Sequence, residues 1–178
     1  MRRIVIVGVT GSGKTTLAKM LSEKLRLDFS DLDELCWLPG WQERPLDEFR
    51  RLTNETTQKP AWIISGNGGR VRDVYWPRAD TLVWIDYSFS QVFWQLLNRS
   101  IRRIINKQVV CNGNTESWQR FFNPKNSIII WFLKNFYRKK KNFSDLFDNP
   151  EAYPGLSFIH LTDPCKTKEW LDSLPTAE

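Results

Sequence analysis

Near the start of the chain, residues 5–21 read VIVGVTGSGKTTLAKML, the make-up of a turn built to hold phosphate. Gly8-Val9-Thr10-Gly11-Ser12-Gly13-Lys14-Thr15 matches the pattern G-x-x-x-x-G-K-[ST] in full. Glycines let a backbone wrap a polyphosphate and present its N–H groups, and the helix that follows adds its positive end. In that pattern the lysine reaches the β- and γ-phosphates and the hydroxyl of the last residue reaches a magnesium ion. The expected nucleotide contacts are therefore Gly8, Thr10, Gly11, Ser12, Gly13, Lys14, Thr15 and Thr16, and the cofactors implied are ATP and Mg2+. What happens to the phosphate depends on the groups that face it.

Asp31-Leu32-Asp33 follows a short strand-like run. Carboxylates at the C-terminal end of a parallel strand lie where α/β sheets bind ligands. Asp31 could help hold magnesium while Asp33 accepts a proton from a hydroxyl, or the pair could cap a helix. Ser65-Gly66-Asn67-Gly68-Gly69-Arg70 is a second glycine-rich turn; Gly66 and Asn67 would let backbone approach an acceptor and Arg70 could fork onto an anionic group. Arg99, Arg102 and Arg103, at i, i+3 and i+4, suit a lid that clamps a transferring phosphoryl group, with Arg99 and Arg103 as catalytic candidates. Trp37 and Trp41 either wall an acceptor pocket or pack beside the core.

The elements that must position these groups alternate. Strand-like runs are expected at Arg3–Val7, Leu27–Ser30, Ala61–Ser65, Thr81–Asp86 and Leu156–Leu161, with helices at Thr15–Leu25, Pro45–Thr57, Phe89–Ile105, Ser127–Lys141 and Pro164–Leu174. The Phe89–Ile105 helix carries one apolar stripe from Phe89 through Leu96 to Ile105. Pro39-Gly40 reads as a turn, and residues 106–124 as a polar, mobile connection. This alternation predicts an α/β three-layer P-loop fold with a five-stranded, mostly parallel sheet. Residues 1–178 read as one domain with a basic helical lid at about 99–141.

Residues 91–141 hold eleven Lys and Arg against Glu116 alone, a local charge of +10, while the remainder sums to −4. A positive excess confined to one third of the chain suits a surface facing phosphates, of a nucleotide or of nucleic acid. The longest apolar run, Ile128–Leu133, is far too short to cross a membrane. Cys36, Cys111 and Cys165 form no CxxC pair, which argues against a zinc site or a disulfide framework. A cytoplasmic protein with no membrane partner is expected.

Taken together, Gly8–Thr15, Leu32-Asp33-x-Leu35-x-Trp37, Pro39-Gly40-Trp41, Gly66-Asn67, Ala79-Asp80-Thr81 and the Arg99/Arg103 helix resemble the adenylate-kinase-like branch of P-loop kinases. The likeness is closest to bacterial adenylate-kinase-related, FlaR-type topology modulation proteins, and covers nearly the whole length. Asp31-x-Asp33 and Gly66–Gly69 are also similar to acceptor elements of shikimate kinases. That second resemblance implies that Arg50 anchors a substrate carboxylate, although Thr53 stands where that family has glutamate. Relatives carry an aspartate at the position of Ser65, so the resemblance implies weaker metal ordering here unless Asp31 or Asp33 substitutes. Leu161–Pro164 lies where related kinases pack adenine, Asp86 ends its strand in a Walker-B-like pattern, and His160 reads as structural.

The favoured expectation is a kinase passing the γ-phosphoryl group of ATP to an unidentified small acceptor. A nucleic-acid-associated ATPase, with Trp118, Phe121, Phe122, Trp131 and Tyr137 interleaved among basic residues, and a weakly catalytic nucleotide-binding regulator are the alternatives.

Overall fold

Val5 and Val7 point to one side of a central sheet and Ile4 and Ile6 to the other, and all four are fully buried. A strand buried on both faces needs helices above and below, which accounts for its unbroken apolar run. The computed structural model describes residues 1–176 and supplies those layers. Five parallel strands, β1 (Arg3–Gly8), β2 (Phe29–Asp31), β3 (Trp62–Ser65), β4 (Thr81–Ile85) and β5 (Ser157–Leu161), lie in the order β2-β3-β1-β4-β5. The expected α/β class and five-stranded parallel sheet are borne out. The register sets Asp31 opposite Ser65, Ser65 opposite Ile6, and Gly8 opposite Ile85, so the strand ends converge on the phosphate loop.

One helical layer is formed by α1 (Lys14–Leu25), α5 (Phe89–Ile105), α8 (Pro164–Ser173) and the first half of α7 (Ile128–Phe147), which bury Leu17, Leu21, Leu96, Leu171, Phe132 and Phe136 with Ile4 and Ile6. The other holds α2 (Leu32–Cys36), α3 (Leu46–Thr57), α4 (Arg72–Tyr75) and the second half of α7, through Leu32, Phe49, Tyr75 and Phe143. Helix α7 thus starts in one layer and ends in the other. Lys140 ion-pairs with Asp86, just past β4, at 2.8 Å, so the middle of α7 passes over the C-terminal ends of the strands.

Several local expectations need correction. The second strand begins at Phe29, because the chain past Leu25 turns back through a left-handed Arg26 (φ 51°) and Leu27 N–H bonds to the Ser22 carbonyl. Helix α7 runs past Lys141 to Phe147, since Phe143 and Phe147 pack on Trp84. Ile105 is 65 % exposed rather than part of the buried stripe, as α5 is leaving the core there. Residues 106–124 are not irregular: Val109–Val110 pairs antiparallel with Asn114–Thr115, and α6 (Trp118–Phe122) follows, capped by Ser117. Also unforeseen were α2, α4 and an antiparallel pairing of Trp37–Leu38 with Gln42–Glu43 around the Pro39–Trp41 turn.

Candidate functional site

The phosphate loop is the connection from β1 to α1. Gly13 caps α1 in the left-handed region (φ 97°), and no side chain caps the helix, so its first N–H groups stay open to an anion. Gly8 packs so closely that a Cβ there would lie 2.7 Å from the Ile85 carbonyl oxygen. A Cβ on Gly11 would lie 2.8 Å from Leu96 Cβ, which fixes the loop against α5. Lys14 folds over the loop and its Nζ donates to the Val9 carbonyl at 2.8 Å. Burial pulls the Lys14 ammonium down to about 8, with Asp33 and Asp31 pulling the other way.

Asp31 joins the loop to the acceptor side. As N-cap of α2 it accepts the Asp33 N–H on Oδ1 at 3.0 Å, while Oδ2 accepts the Thr15 hydroxyl at 2.8 Å. The capping role and the contact with the magnesium candidate are therefore held by one carboxylate. Thr15 Oγ1 keeps its lone pairs while donating to Asp31. Mg2+ commonly takes one or two protein oxygens and completes its shell with phosphate and water, so this donor set fits the ion. Among the described residues, no cluster of three or more His, Cys, Asp or Glu offers another metal site.

Asp33 sits in the first turn of α2. Solvent reaches it, yet protein encloses it on most sides. That enclosure, and after it the Asp31 charge, hold its carboxyl above the usual range, against the pull of Lys14, Arg99 and Arg103. Arg99 is placed on the same cleft by α5; its Nε is buried with no acceptor, and burial, then Arg103, lower its guanidinium. Arg103 pairs with Glu116 at 2.9 Å. Ser12 and Ser65 likewise have buried hydroxyls with no partner.

The segment 109–122 lies across the stretch from Glu34 to Trp41. Asn112 Nδ2 donates to the carbonyls of Glu34 (2.6 Å) and Trp37 (2.7 Å). Asn114, 3 % exposed, donates to the Leu38 carbonyl at 2.9 Å and accepts Trp41 N–H at 2.7 Å. Trp41 Nε1 donates to the Thr115 carbonyl, and the Arg120 guanidinium lies 4.8 Å above the Trp41 ring. Trp37 meets Trp41 edge-on at 5.9 Å. The arginine-bearing helix and the Asp33-bearing segment are thereby tied together by a roof.

Other expected acceptor contacts are engaged elsewhere. Asn67 is turned to the phosphate loop, exchanging two hydrogen bonds with the Gly8 backbone. Gly66 is a packing glycine, because a Cβ there would meet Leu32 Cβ at 2.9 Å. Arg50 is an exposed fork on Asp73, at 2.9 and 2.6 Å, outside the cleft. Arg70 pairs with Glu43 at 2.8 Å and lies over Phe49. Asp86 is held between Lys140 (2.8 Å) and His160 (3.0 Å), which argues against a metal role, and His160 stacks on Trp84 at 4.3 Å. Burial raises the thiols of Cys36 and Cys111, the latter to about 11, so neither suits a nucleophile. Arg72 and Lys139 were overlooked. The signal for Lys139 was present, since Phe132, Phe136, Phe143 and Phe147 form an inward stripe that Lys139 and Lys140 interrupt.

With the geometry in hand, comparison with known proteins narrows the class. The shikimate kinase family model matches residues 10–37, from the phosphate loop through Asp33 to Trp37. Eighty residues are 31% identical to the pentafunctional AROM polypeptide of Schizosaccharomyces pombe, covering 38% of this chain and 5% of that polypeptide. The shikimate kinase of Sulfurihydrogenibium sp. is 27% identical over 124 residues, 61% of this chain and 75% of that enzyme. An unliganded sugar kinase structure from Janibacter sp. superposes with a TM-score of 0.54 at 19% identity, over 98% of this chain and 96% of that one. The fold is that of P-loop kinases of the adenylate-kinase-like class. No described helix is long and apolar enough to cross a membrane.

Proposed function

We propose that the chain is an ATP-dependent phosphotransferase acting on a small hydroxyl or phosphate acceptor. The observation that carries this reading is the run of contacts from Thr15 to Asp31 to Asp33, which seats a carboxylate beside the mouth of the phosphate loop. The similarity to shikimate kinases over residues 10–37 includes that carboxylate.

ATP would lie with its phosphates in the turn from Gly8 to Thr16, receiving N–H groups from the loop and the open end of α1. Mg2+, held by Thr15 and Asp31, would neutralise phosphate charge when bound. Lys14 leaves the Val9 carbonyl to meet the phosphates. Asp33 orients the acceptor hydroxyl and takes its proton as the oxygen attacks; a carboxyl held above its usual range is a stronger base for that step. Arg99, with its unpartnered Nε, and Arg103 supply positive charge as the phosphoryl group moves. The roof over Trp37 and Trp41 excludes water, which makes the 99–141 segment a lid. A cytoplasmic setting follows from the intracellular supply of ATP.

A second reading draws on the exposed lid aromatics, Trp118 at 47%, Phe122 at 70% and Tyr137 at 70%, set among basic residues. They suit stacking on single-stranded nucleic acid, in line with the finer likeness to topology modulation proteins. ADP release from Mg-ATP, measured with sugar acids, nucleoside monophosphates and DNA, and with Lys14→Ala as the blank, separates the two. Stimulation by a small acceptor supports the kinase. Stimulation by DNA alone, falling steeply with salt, overturns it. Tight ATP binding with no turnover would point to a regulator.

A further inference from the structure

Helix α4 has two working faces, and only one of them serves the transfer site. Tyr75, fully buried, turns toward the acceptor segment: a Cβ on Gly68 would meet both the Leu32 side chain and the Tyr75 hydroxyl. Arg72 and Trp76, four residues apart, share the next face round the helical turn. That face lines a cleft of about 540 Å³, whose apolar walls are Trp76, Ala79, Tyr153, Pro154 and Leu156. Ala79 and Leu156 precede β4 and β5, so the walls reach the N-terminal ends of strands whose C-terminal ends carry the phosphate loop and Asp33.

The cleft has the make-up of a small-molecule site. Such sites commonly enclose about 300–1,000 Å³ and set a few polar groups into mostly apolar walls. Trp76 and Tyr153 meet edge-on with ring centroids 5.6 Å apart, which fixes an aromatic wall. Among the charged side chains of the lining, Asp73 is already forked by Arg50, at 2.9 and 2.6 Å. Arg72 is unspent. Its guanidinium is held over the Trp76 ring at 4.3 Å and its Nε is buried with no acceptor. A guanidinium held against a ring presents a rigid N–H fork that matches a carboxylate or a phosphate. A buried donor left unpaired is costly, and an acceptor brought in by a ligand removes that cost.

We propose that this cleft is a second small-molecule site, taking a flat ring that carries an acidic group. The ring lies against the aromatic wall and Leu156, and the acid meets Arg72. The site does not rest on the phosphotransferase reading. Its ligand is not the acceptor, because Arg72 and Trp76 stand on a different face of the helical turn from Tyr75, which packs toward Leu32 and so toward Asp33.

The test is calorimetric titration of indole-3-carboxylate and, separately, of AMP into the full chain saturated with Mg2+ and the imido analogue of ATP, so that the phosphate loop is filled. The two probes share a ring and an acid, and between them tell a carboxylate ligand from a phosphate one. At least one should bind. Arg72→Gln should weaken that probe by about tenfold, the loss of one charge-assisted contact. Ala152→Phe, at an exposed position on the rim, fills the cleft and should weaken it at least as much. Both variants should hold the ATP analogue within about twofold, which shows an intact fold, and Asp33→Asn should leave the probe unchanged.

Failure of both probes to bind overturns the site, as does binding that ignores Arg72→Gln and Ala152→Phe. A loss in Asp33→Asn equal to that in the cleft variants also overturns it, since the probe would then belong to the transfer site. If the analogue itself does not bind, the nucleotide reading fails, and the same titrations on nucleotide-free Lys14→Ala protein decide the cleft: loss in the two cleft variants supports it and no change overturns it.

Discussion

Asn67 grips the backbone of Gly8 from both ends of its amide, accepting the Gly8 N–H on Oδ1 at 3.2 Å and donating from Nδ2 to the Gly8 carbonyl at 3.0 Å. The clamp joins residues 59 positions apart and fixes the first turn of the phosphate loop to the end of β3. Asn67→Ala should therefore act on the nucleotide rather than on the acceptor. Each lost bond costs about 1 kcal/mol, so a weakening of ATP by roughly tenfold is expected, with a fall in Tm of a few degrees. Fluorescent-nucleotide titration beside acceptor KM checks it; a rise in acceptor KM alone would return Asn67 to the acceptor side.

Lys14 makes nucleotide binding sensitive to alkaline pH. Its ammonium, lowered to about 8 by burial in the free protein, is the form that attracts phosphate. ATP should bind progressively more weakly as pH rises from 7 to 9 in wild type, and Lys14→Met should flatten that dependence. Stability runs the other way. An ammonium whose folded pKa lies below its unfolded value destabilises the free protein below about 8, and that cost fades as pH rises toward the ordinary lysine value of 10.5. Thermal melts should accordingly show Lys14→Met more stable than wild type at pH 7, with the gap closing toward pH 10. A gap that is constant with pH would refute the assignment.

Asp33 should govern the acid limb of the pH–rate profile. Its carboxyl is held high by burial and by Asp31, so turnover should fall as pH drops through a value above the ordinary carboxylate range. Asp33→Asn should lower kcat by about a hundredfold to ten-thousandfold, the usual worth of a positioned base. Nucleotide affinity at saturating Mg2+ should change little. A variant that keeps the acid limb would assign that limb to another group.

The roof over the site rests on Asn114, whose side chain joins Leu38 and Trp41 to the 109–115 turn. Asn114→Ala leaves the Trp41 N–H without its acceptor and should loosen the whole segment. Expected results are faster tryptic cleavage between residues 103 and 125 and an acceptor KM raised by about tenfold, with ATP affinity kept. Cleavage as slow as in wild type would mean that Trp41 and Arg120 hold the roof without it.

What the sequence made legible follows the distance over which each feature is determined. The α5 helix was readable to its ends, since its stripe and the Ser88 cap are local, and the phosphate loop announces itself through glycine and lysine spacing. Asp31 capping α2 was also within reach, because Asp31 and Glu34 stand at capping-box spacing, but α2 is five residues long and has no period to detect. Asn67 and Arg50 were beyond reach for another reason. Their partners, Gly8 and Asp73, are chosen by how α4 and the β3 turn pack, and resemblance named the residue types without knowing those neighbours.

Ser65 offers the sharpest test of the metal. It lies opposite Asp31 in the register, 1% exposed, with a hydroxyl that meets no partner. Ser65→Asp would place a second carboxylate beside Asp31 in a buried setting. Without a cation the two charges repel and desolvation adds to the cost, so in chelator the variant should melt well below wild type, by an amount on the order of 2–4 kcal/mol. Mg2+ with ADP should recover most of that loss in the variant while moving wild type only by the binding of the nucleotide itself. Turnover should rise if metal ordering limits the native protein. A variant whose melting is blind to Mg2+ would show that the ion does not sit between β2 and β3, and the assignment of Thr15 and Asp31 as its ligands would fall with it.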